Sequence, residues 1–152
     1  MSRQIVYVGS DHAGFILKIQ LLKKLGTEFT EVEFKDLGCD SESSVNYPDY
    51  AEKVARQVAA EKNGRGILIC GSGLGMCIAA NKIPGIRATS SWDVRSAHLS
   101  REHNDSNIIC LGARLLTEEV ALESVREWLK TPFAGGRHLQ RVELIKKLEE
   151  KK

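Results

Sequence analysis

Apolar and polar positions alternate along this chain in two periods, and each period marks a kind of element. Gln4 to Gly9 (QIVYVG) is a run of mostly apolar residues that predicts a first strand, ending at Ser10-Asp11-His12-Ala13-Gly14. From about Phe15 to Leu25 apolar residues return at helical spacing. The stripe Ile16, Ile19, Leu22, with Lys23, predicts a first helix stopped by Gly26. Thr30 to Asp36 alternates around Val32 and Phe34, the pattern of a half-covered strand at a sheet edge. After a polar loop, 38–46, Tyr47-Pro48 opens a second helix to about Lys62, with Ala51, Val54, Ala55 and Val58 facing inward. Ile67 to Ile69 is a third, buried strand that runs through Cys70 into Gly71-Ser72-Gly73-Leu74-Gly75 and a third helix carrying Met76, Ala79 and Ala80. Ile86 to Thr89 is a short fourth strand, and Asp93 is placed to cap a fourth helix ending near 101–105. Asn107 to Leu111 is a fifth strand, closed by Gly112-Ala113-Arg114. Thr117 caps a fifth helix with Glu118 and Glu119 in its first turn and a stripe of Ala121, Val125, Trp128 and Leu129. Beyond Pro132 and Gly135-Gly136, a last helix spans roughly Arg137 to Glu150.

Five strands alternating with helices imply an α/β fold: a three-layer α/β/α sandwich around a five-stranded parallel, doubly wound, Rossmann-like sheet, plus a C-terminal helix. No repeat or low-complexity linker interrupts the series, so residues 1–152 are expected to form a single domain. A formal net charge of +2 is too small to argue for nucleic acid or an anionic membrane as partner. No apolar run is long enough for a membrane span, and the N-terminus lacks the apolar core of a signal peptide. Cys39, Cys70, Cys77 and Cys110 show no metal-ligand spacing. Cys70 and Cys110 lie in or beside predicted buried strands, which suits reduced thiols, and a cytoplasmic location is the default expectation.

The candidate chemistry gathers on the loops after the strands. In a doubly wound sheet the loops after strands one and three flank the crevice where ligands bind. That brings together Asp11, His12, Cys70 and the N–H groups of the glycine turn. A thiol beside a helix N-terminus can supply a thiolate, and unpaired N–H groups there favour an anion. Each residue also has a plain structural reading: Cys70 as an inert buried thiol, Asp11 and His12 as a helix cap, His98 and His103 as solvated surface groups. Arg137 and Arg141 share a helix face just after a glycine pair, which fits either a phosphate clamp or a solvated charged face. Gly71-x-Gly73-x-Gly75 is not GxGxxG, and Asp93 is better placed as a helix cap than as a ribose ligand. A dinucleotide enzyme is therefore a poor second reading, and a P-loop motif is missing.

Five motifs together resemble type B ribose-5-phosphate isomerase: Ser10-Asp11-His12-Ala13-Gly14, Cys70-Gly71-Ser72-Gly73-Leu74-Gly75, Ala79-Ala80-Asn81-Lys82, 100–105 (SREHND) and Gly135-Gly136-Arg137-His138. They cover nearly the whole chain in the right order. The resemblance implies a cofactor- and metal-free aldose–ketose isomerisation of ribose 5-phosphate and ribulose 5-phosphate, a pentose phosphate pathway reaction, through a cis-enediolate. Galactose-6-phosphate and allose-6-phosphate isomerases belong to the same wider family. By position, the resemblance makes Cys70 the base moving a proton between C2 and C1. It has the N–H groups of Gly71 to Gly75 stabilise the enediolate, with Ser72 standing where many members have threonine. It makes His103 the ring-opening acid/base with Asn104 beside it, gives Asp11 the sugar hydroxyls, and has Tyr47 line the pocket. His12, Arg114, Arg137 and Arg141 would hold the phosphate. Some members place a glutamate base at the position of Met76, which here cannot transfer a proton. The resemblance also implies a homodimer, or a tetramer through the C-terminal helix, with the active site shared between subunits. A non-catalytic sugar-phosphate-binding subunit is the alternative outside catalysis, and retention of Cys70, Asp11 and His103 together argues against it.

Overall fold

The computed structural model describes residues 3–151. Its elements are β1 (Gln4–Ser10), α1 (Phe15–Glu28), β2 (Val32–Asp36), α2 (Tyr47–Ala60), β3 (Arg65–Cys70), α3 (Leu74–Ala80), β4 (Ala88–Ser90), α4 (Val94–Glu102), β5 (Ile108–Gly112), α5 (Glu118–Lys130) and α6 (Arg137–Glu149). All strands pair in parallel, in the order β2-β1-β3-β5-β4. β2 is an edge strand, as its alternation predicts. The chain steps left from β1 to β2 and then crosses to β3, so the topological switch lies between β1 and β3.

The strands are covered on both sides, and their successive side chains divide between two cores. Val6, Val8, Ile67, Ile69, Ile109 and Leu111 pack against α1, α4 and α5, with Trp128 fully buried among them. Tyr7, Leu68, Cys70, Ile108 and Cys110 pack against α2 and α3 through Val54, Ala55, Met76 and Ala80. Each such aliphatic side chain stabilises the fold by about 1.5–3 kcal/mol on burial, which makes the sheet a rigid platform for the loops at its ends. The fully buried Met76 belongs to this packing.

Two sequence expectations fail on α1. Ile16 and Ile19 are exposed, and the inward face is Leu17, Lys18, Leu21 and Leu25. Helical periodicity is ambiguous where apolar residues surround the axis, as they do from Phe15 to Leu25. A fully buried lysine also hides the true stripe. Lys18 tolerates burial because its Nζ donates to Asp36 Oδ1 and to the Cys39 carbonyl, both at 2.6 Å. Gly26 does not stop the helix, which runs on to Glu28. α2 ends two residues earlier than expected, at Ala60. α4 carries the predicted cap as a full capping box. The Asp93 carboxylate accepts from the Ser96 N–H at 2.6 Å, and Ser96 Oγ accepts from the Asp93 N–H at 3.2 Å.

Candidate active site

Parallel pairing puts every strand's carboxyl end on one edge of the sheet, and a crevice on that edge opens at the switch point. It has a volume of about 420 Å³ and is lined by Asp11, Tyr47, Cys70, Gly71, Ser72, Gly75, Arg114 and Leu115. Asp11 is held there because its N–H donates to the Ile69 carbonyl at 3.1 Å while Oδ1 accepts from the Gly14 N–H at 3.0 Å. The bond from Gly14 closes the turn before α1, whose N-cap Gly14 has no side-chain cap, so Asp11 does not cap the helix as its plain structural reading had it, and its Oδ2 is without a partner among the described residues. Gly14 must be glycine here. A Cβ at that position would lie 2.5 Å from the Ile69 carbonyl oxygen. His12 accepts at Nδ1 from the Val45 N–H at 3.1 Å, which leaves Nε2 to carry the ring proton when the imidazole is neutral.

The turn after β3 is built around the sulfur. Gly73 adopts a left-handed conformation at φ 78°, which aims its N–H at Cys70 Sγ over 3.1 Å. The sulfur thus accepts a hydrogen bond from the backbone of its own turn, which fixes its position in the crevice. The Leu74 N–H turns to Ser72 Oγ at 3.2 Å. Two of the five N–H groups expected to face an enediolate are thus spent inside the turn, on Cys70 Sγ and on Ser72 Oγ. α3 is only seven residues long, so the turn, more than a helix terminus, supplies the remaining donors. Gly75 lets the Tyr47 ring lie against the loop, since a Cβ there would sit 2.5 Å from Tyr47 Cζ. Arg114 is brought alongside by β5, whose turn donates the Ala113 and Arg114 N–H groups to the Cys70 and Gly71 carbonyls at 2.8 and 2.9 Å. Leu115, which the sequence reading did not single out, completes the wall from that same turn.

His103, Asn104, Arg137 and Arg141 are elsewhere. In a parallel α/β fold each helix returns the chain to the strands' amino end, and His103 caps the C-terminus of α4. The five residues of β5 put about 15 Å of strand between that end and the Cys70 crevice. His103, Arg137 and Arg141 form a second group around His138 at the start of α6, and Asn104 follows His103 in the chain. The His103 and His138 rings stack at 4.2 Å with a 13° interplanar angle, and the Ala134 N–H donates to the Glu102 carbonyl at 3.0 Å. Partial desolvation and then the nearby His103, Arg137 and Arg141 push His138 below its ordinary pKa. A cluster in which cations disfavour one another is a place where an anion is stabilised. Arg137 and Arg141 are exposed, with no ion pair among the described residues. His138 lay in a quoted motif without a role, and only its stacking on His103 places it in this group. His98 is not simply solvated: its Nδ1 meets Glu127 Oε1 at 2.6 Å and its pKa is raised, mainly by that bond.

Among the described residues no three His, Cys, Asp or Glu side chains gather as a metal site, and no helix is long and apolar enough to cross a membrane. All four cysteines are unpaired. The capping box on Asp93 and a glycine turn after β3 rather than β1 count against a dinucleotide site.

A doubly wound sheet whose switch-point crevice joins a thiol, a carboxylate, a phenol and an arginine has the form of an α/β protein with a small-molecule site at its switch point. A model of the ribose/galactose isomerase family matches residues 6–145 of this sequence. Ribose-5-phosphate isomerase B of Escherichia coli (strain K12) is 45% identical over 144 residues, covering 95% of each chain. D-erythrulose-4-phosphate isomerase of Pectobacterium atrosepticum is 38% identical over 143 residues, covering 92% of this chain and 91% of that one. The crystal structure of ribose-5-phosphate isomerase B from Mycoplasma genitalium with bound ribulose-5-phosphate matches at a TM-score of 0.93 and 35% identity, with all of both chains covered. The chain belongs to the ribose/galactose isomerase family.

Proposed function

We propose that this chain, acting as one domain over residues 1–152, is a ribose-5-phosphate isomerase that uses Cys70 as its proton-transfer base and completes each active site with a second copy. The observation that carries this reading is the Gly73 N–H on Cys70 Sγ, inside a crevice that also holds Asp11 and Arg114. With the sugar ring opened, the Cys70 thiolate takes the proton from C2. The C–H electron pair becomes the enediolate double bond, and negative charge develops on O1. Arg114 and the free N–H groups of the turn stabilise that charge or the phosphate beyond it. A proton then passes from O2 to O1, and the thiol returns its own proton to C1. Asp11 holds sugar hydroxyls, Tyr47 walls the sugar, and His12 offers Nε2–H as a donor. A general base of this kind contributes about 10²–10⁴-fold.

The ring-opening pair His103 and Asn104, and the phosphate ligands Arg137 and Arg141, lie at the wrong end of their own sheet for this crevice. They serve the crevice of a second copy. Exposed Leu74 and Ile78 on α3, Trp92, and Leu144, Ile145 and Leu148 on α6 supply apolar surface for such an assembly, as dimer or tetramer. A cytoplasmic location rests on the four unpaired thiols.

Conversion of ribose 5-phosphate to ribulose 5-phosphate, without added metal and with Cys70→Ala alongside, tests the reading. A fast wild type beside a variant slower by about two orders of magnitude or more supports it. Equal rates would place the base elsewhere. The Pectobacterium relative favours a second reading, in which a sugar phosphate of another length is preferred. The ratio of kcat/KM among four-, five- and six-carbon aldose phosphates separates the two. Binding without turnover of any of them would leave a sugar-phosphate-binding subunit.

A further inference from the structure

The amino end of the sheet holds a second cavity, about 320 Å³ in volume, that no step of the isomerisation uses. Arg65, Arg87, Arg101, Asp105, Asn63 and Asn107 define it, and none of His103, Asn104, Arg137 and Arg141 lines it. Two of its three guanidinium groups share one half-exposed carboxylate. Asp105 accepts from Arg101 Nη1 at 2.9 Å through Oδ1 and from Arg87 Nη2 at 3.1 Å through Oδ2. Glu61 is an exposed residue on the rim. Arg65 has no carboxylate partner among the described residues: its Nη1 donates to the Trp128 and Leu129 carbonyls at 3.3 and 3.0 Å. Arg101 is only 6% exposed and is fixed by bonds to the Thr131 and Ser106 carbonyls. Its Nη2, like Nε and Nη2 of Arg65, has no partner among the described residues.

We propose that this cavity is a second anion site, taking a small phosphate-bearing molecule at the end of the sheet opposite the Cys70 crevice. Unpartnered N–H groups on two fixed guanidinium forks match the oxygens of a phosphoryl group, which bind best in pairs. Asn107 keeps the wall rigid, its Oδ1 accepting from the Arg87 N–H at 2.8 Å and its Nδ2 donating to the Gly85 carbonyl at 2.8 Å. Burial first, and the charge of Arg101 second, pull Arg65 down to about 10, so its charge is held at a cost that an anion removes. An adjoining groove shares Gln4, Glu61 and Asn63 with this cavity and adds Arg3 and Lys62. That extension suits a second phosphoryl or further hydroxyl groups.

Titration calorimetry of the full chain with inorganic phosphate and with pyrophosphate tests the site. Arg65→Gln keeps a side-chain N–H for the two carbonyls and removes the charge. Two classes of phosphate site are expected in the wild type, one weakened by Arg114→Ala and the other by Arg65→Gln. The Arg65→Gln class should weaken by about tenfold or more, with kcat and KM for ribose 5-phosphate within about twofold of wild type. Unchanged phosphate binding in Arg65→Gln, or loss of all phosphate binding in Arg114→Ala alone, overturns the proposal. Loss in Arg65→Gln with none in Arg114→Ala supports the cavity while removing the phosphate clamp from the isomerase reading. Wild-type crystals soaked in phosphate give an answer independent of any variant: density against Arg65 and Arg101 is expected, and its absence sinks the site.

Discussion

The two ends of the parallel sheet are built differently. At the carboxyl end, Asp11, Tyr47, Cys70 and Arg114 converge on turns whose backbone is fixed by hydrogen bonds and by glycines with no room for a Cβ. At the amino end, His103, His138, Arg137 and Arg141 sit near the termini of α4 and α6, exposed or half-exposed, with Glu102 Oε2 at 3.4 Å from His103 Nε2 and no ion pair on either arginine among the described residues. One group lines a preorganised crevice around the Cys70 thiol; the other is an exposed, mostly cationic surface that lines neither that crevice nor the cavity at its own end of the sheet. Proximity is worth several kcal/mol only when groups meet in one place. The comparison teaches that the fold keeps the two groups apart within one chain, so the proposed mechanism requires a second copy to bring them together.

The largest effect expected concerns the halves taken singly. Cys70→Ala and His103→Asn should each lower kcat for ribose 5-phosphate by about two orders of magnitude or more. Mixing the two variants under conditions that exchange subunits sharpens the point. Half of randomly paired dimers then hold one intact site, so about a quarter of wild-type activity returns. No recovery on mixing would break the comparison, because both residues would then serve within one chain.

Gly75→Ala drives a Cβ into the Tyr47 ring and should raise KM by about tenfold, with the fold intact by circular dichroism. An unchanged KM would show that the cup is less rigid than the geometry implies. The smallest effect lies at the other end, where His98 bridges α4 and α5 through Glu127. His98 is raised and Glu127 lowered, each mainly by their shared bond. The histidine's contribution to stability is complete below its unfolded pKa and is lost as pH rises through its raised folded value. The carboxylate's is present above its unfolded pKa and lost as pH falls through its lowered one. Melting temperature should therefore decline modestly as pH rises above about 6.5, and His98→Gln should flatten that slope. A slope equal in the two proteins would remove His98 as its source.

Much of this was legible from local pattern. The strands, the caps at Asp93 and Thr117, and the pairing of Asp11 with the Cys70 turn follow from period, capping chemistry and the switch-point rule, each a short-range or topological constraint. The inward face of α1 was not legible, because Lys18 is apolar in effect only once Asp36 and the Cys39 carbonyl surround its ammonium. Nor was the use of the Gly73 N–H on sulfur, which depends on a positive φ that several glycines could have supplied.

The sequence by itself determined the alternation of elements and hence which loop ends up at which end of the sheet, since helices must return the chain between parallel strands. It therefore already separated His103 from Cys70. Only the tertiary structure decided that β5 inserts between β3 and β4, that Arg114 lies beside Gly71, and that Arg65 joins Arg87 and Arg101 around one cavity. The physical reason is range. Periodicity records what each segment buries, whereas neighbours across the sheet are chosen by packing many segments at once, and that choice leaves no trace in any one of them.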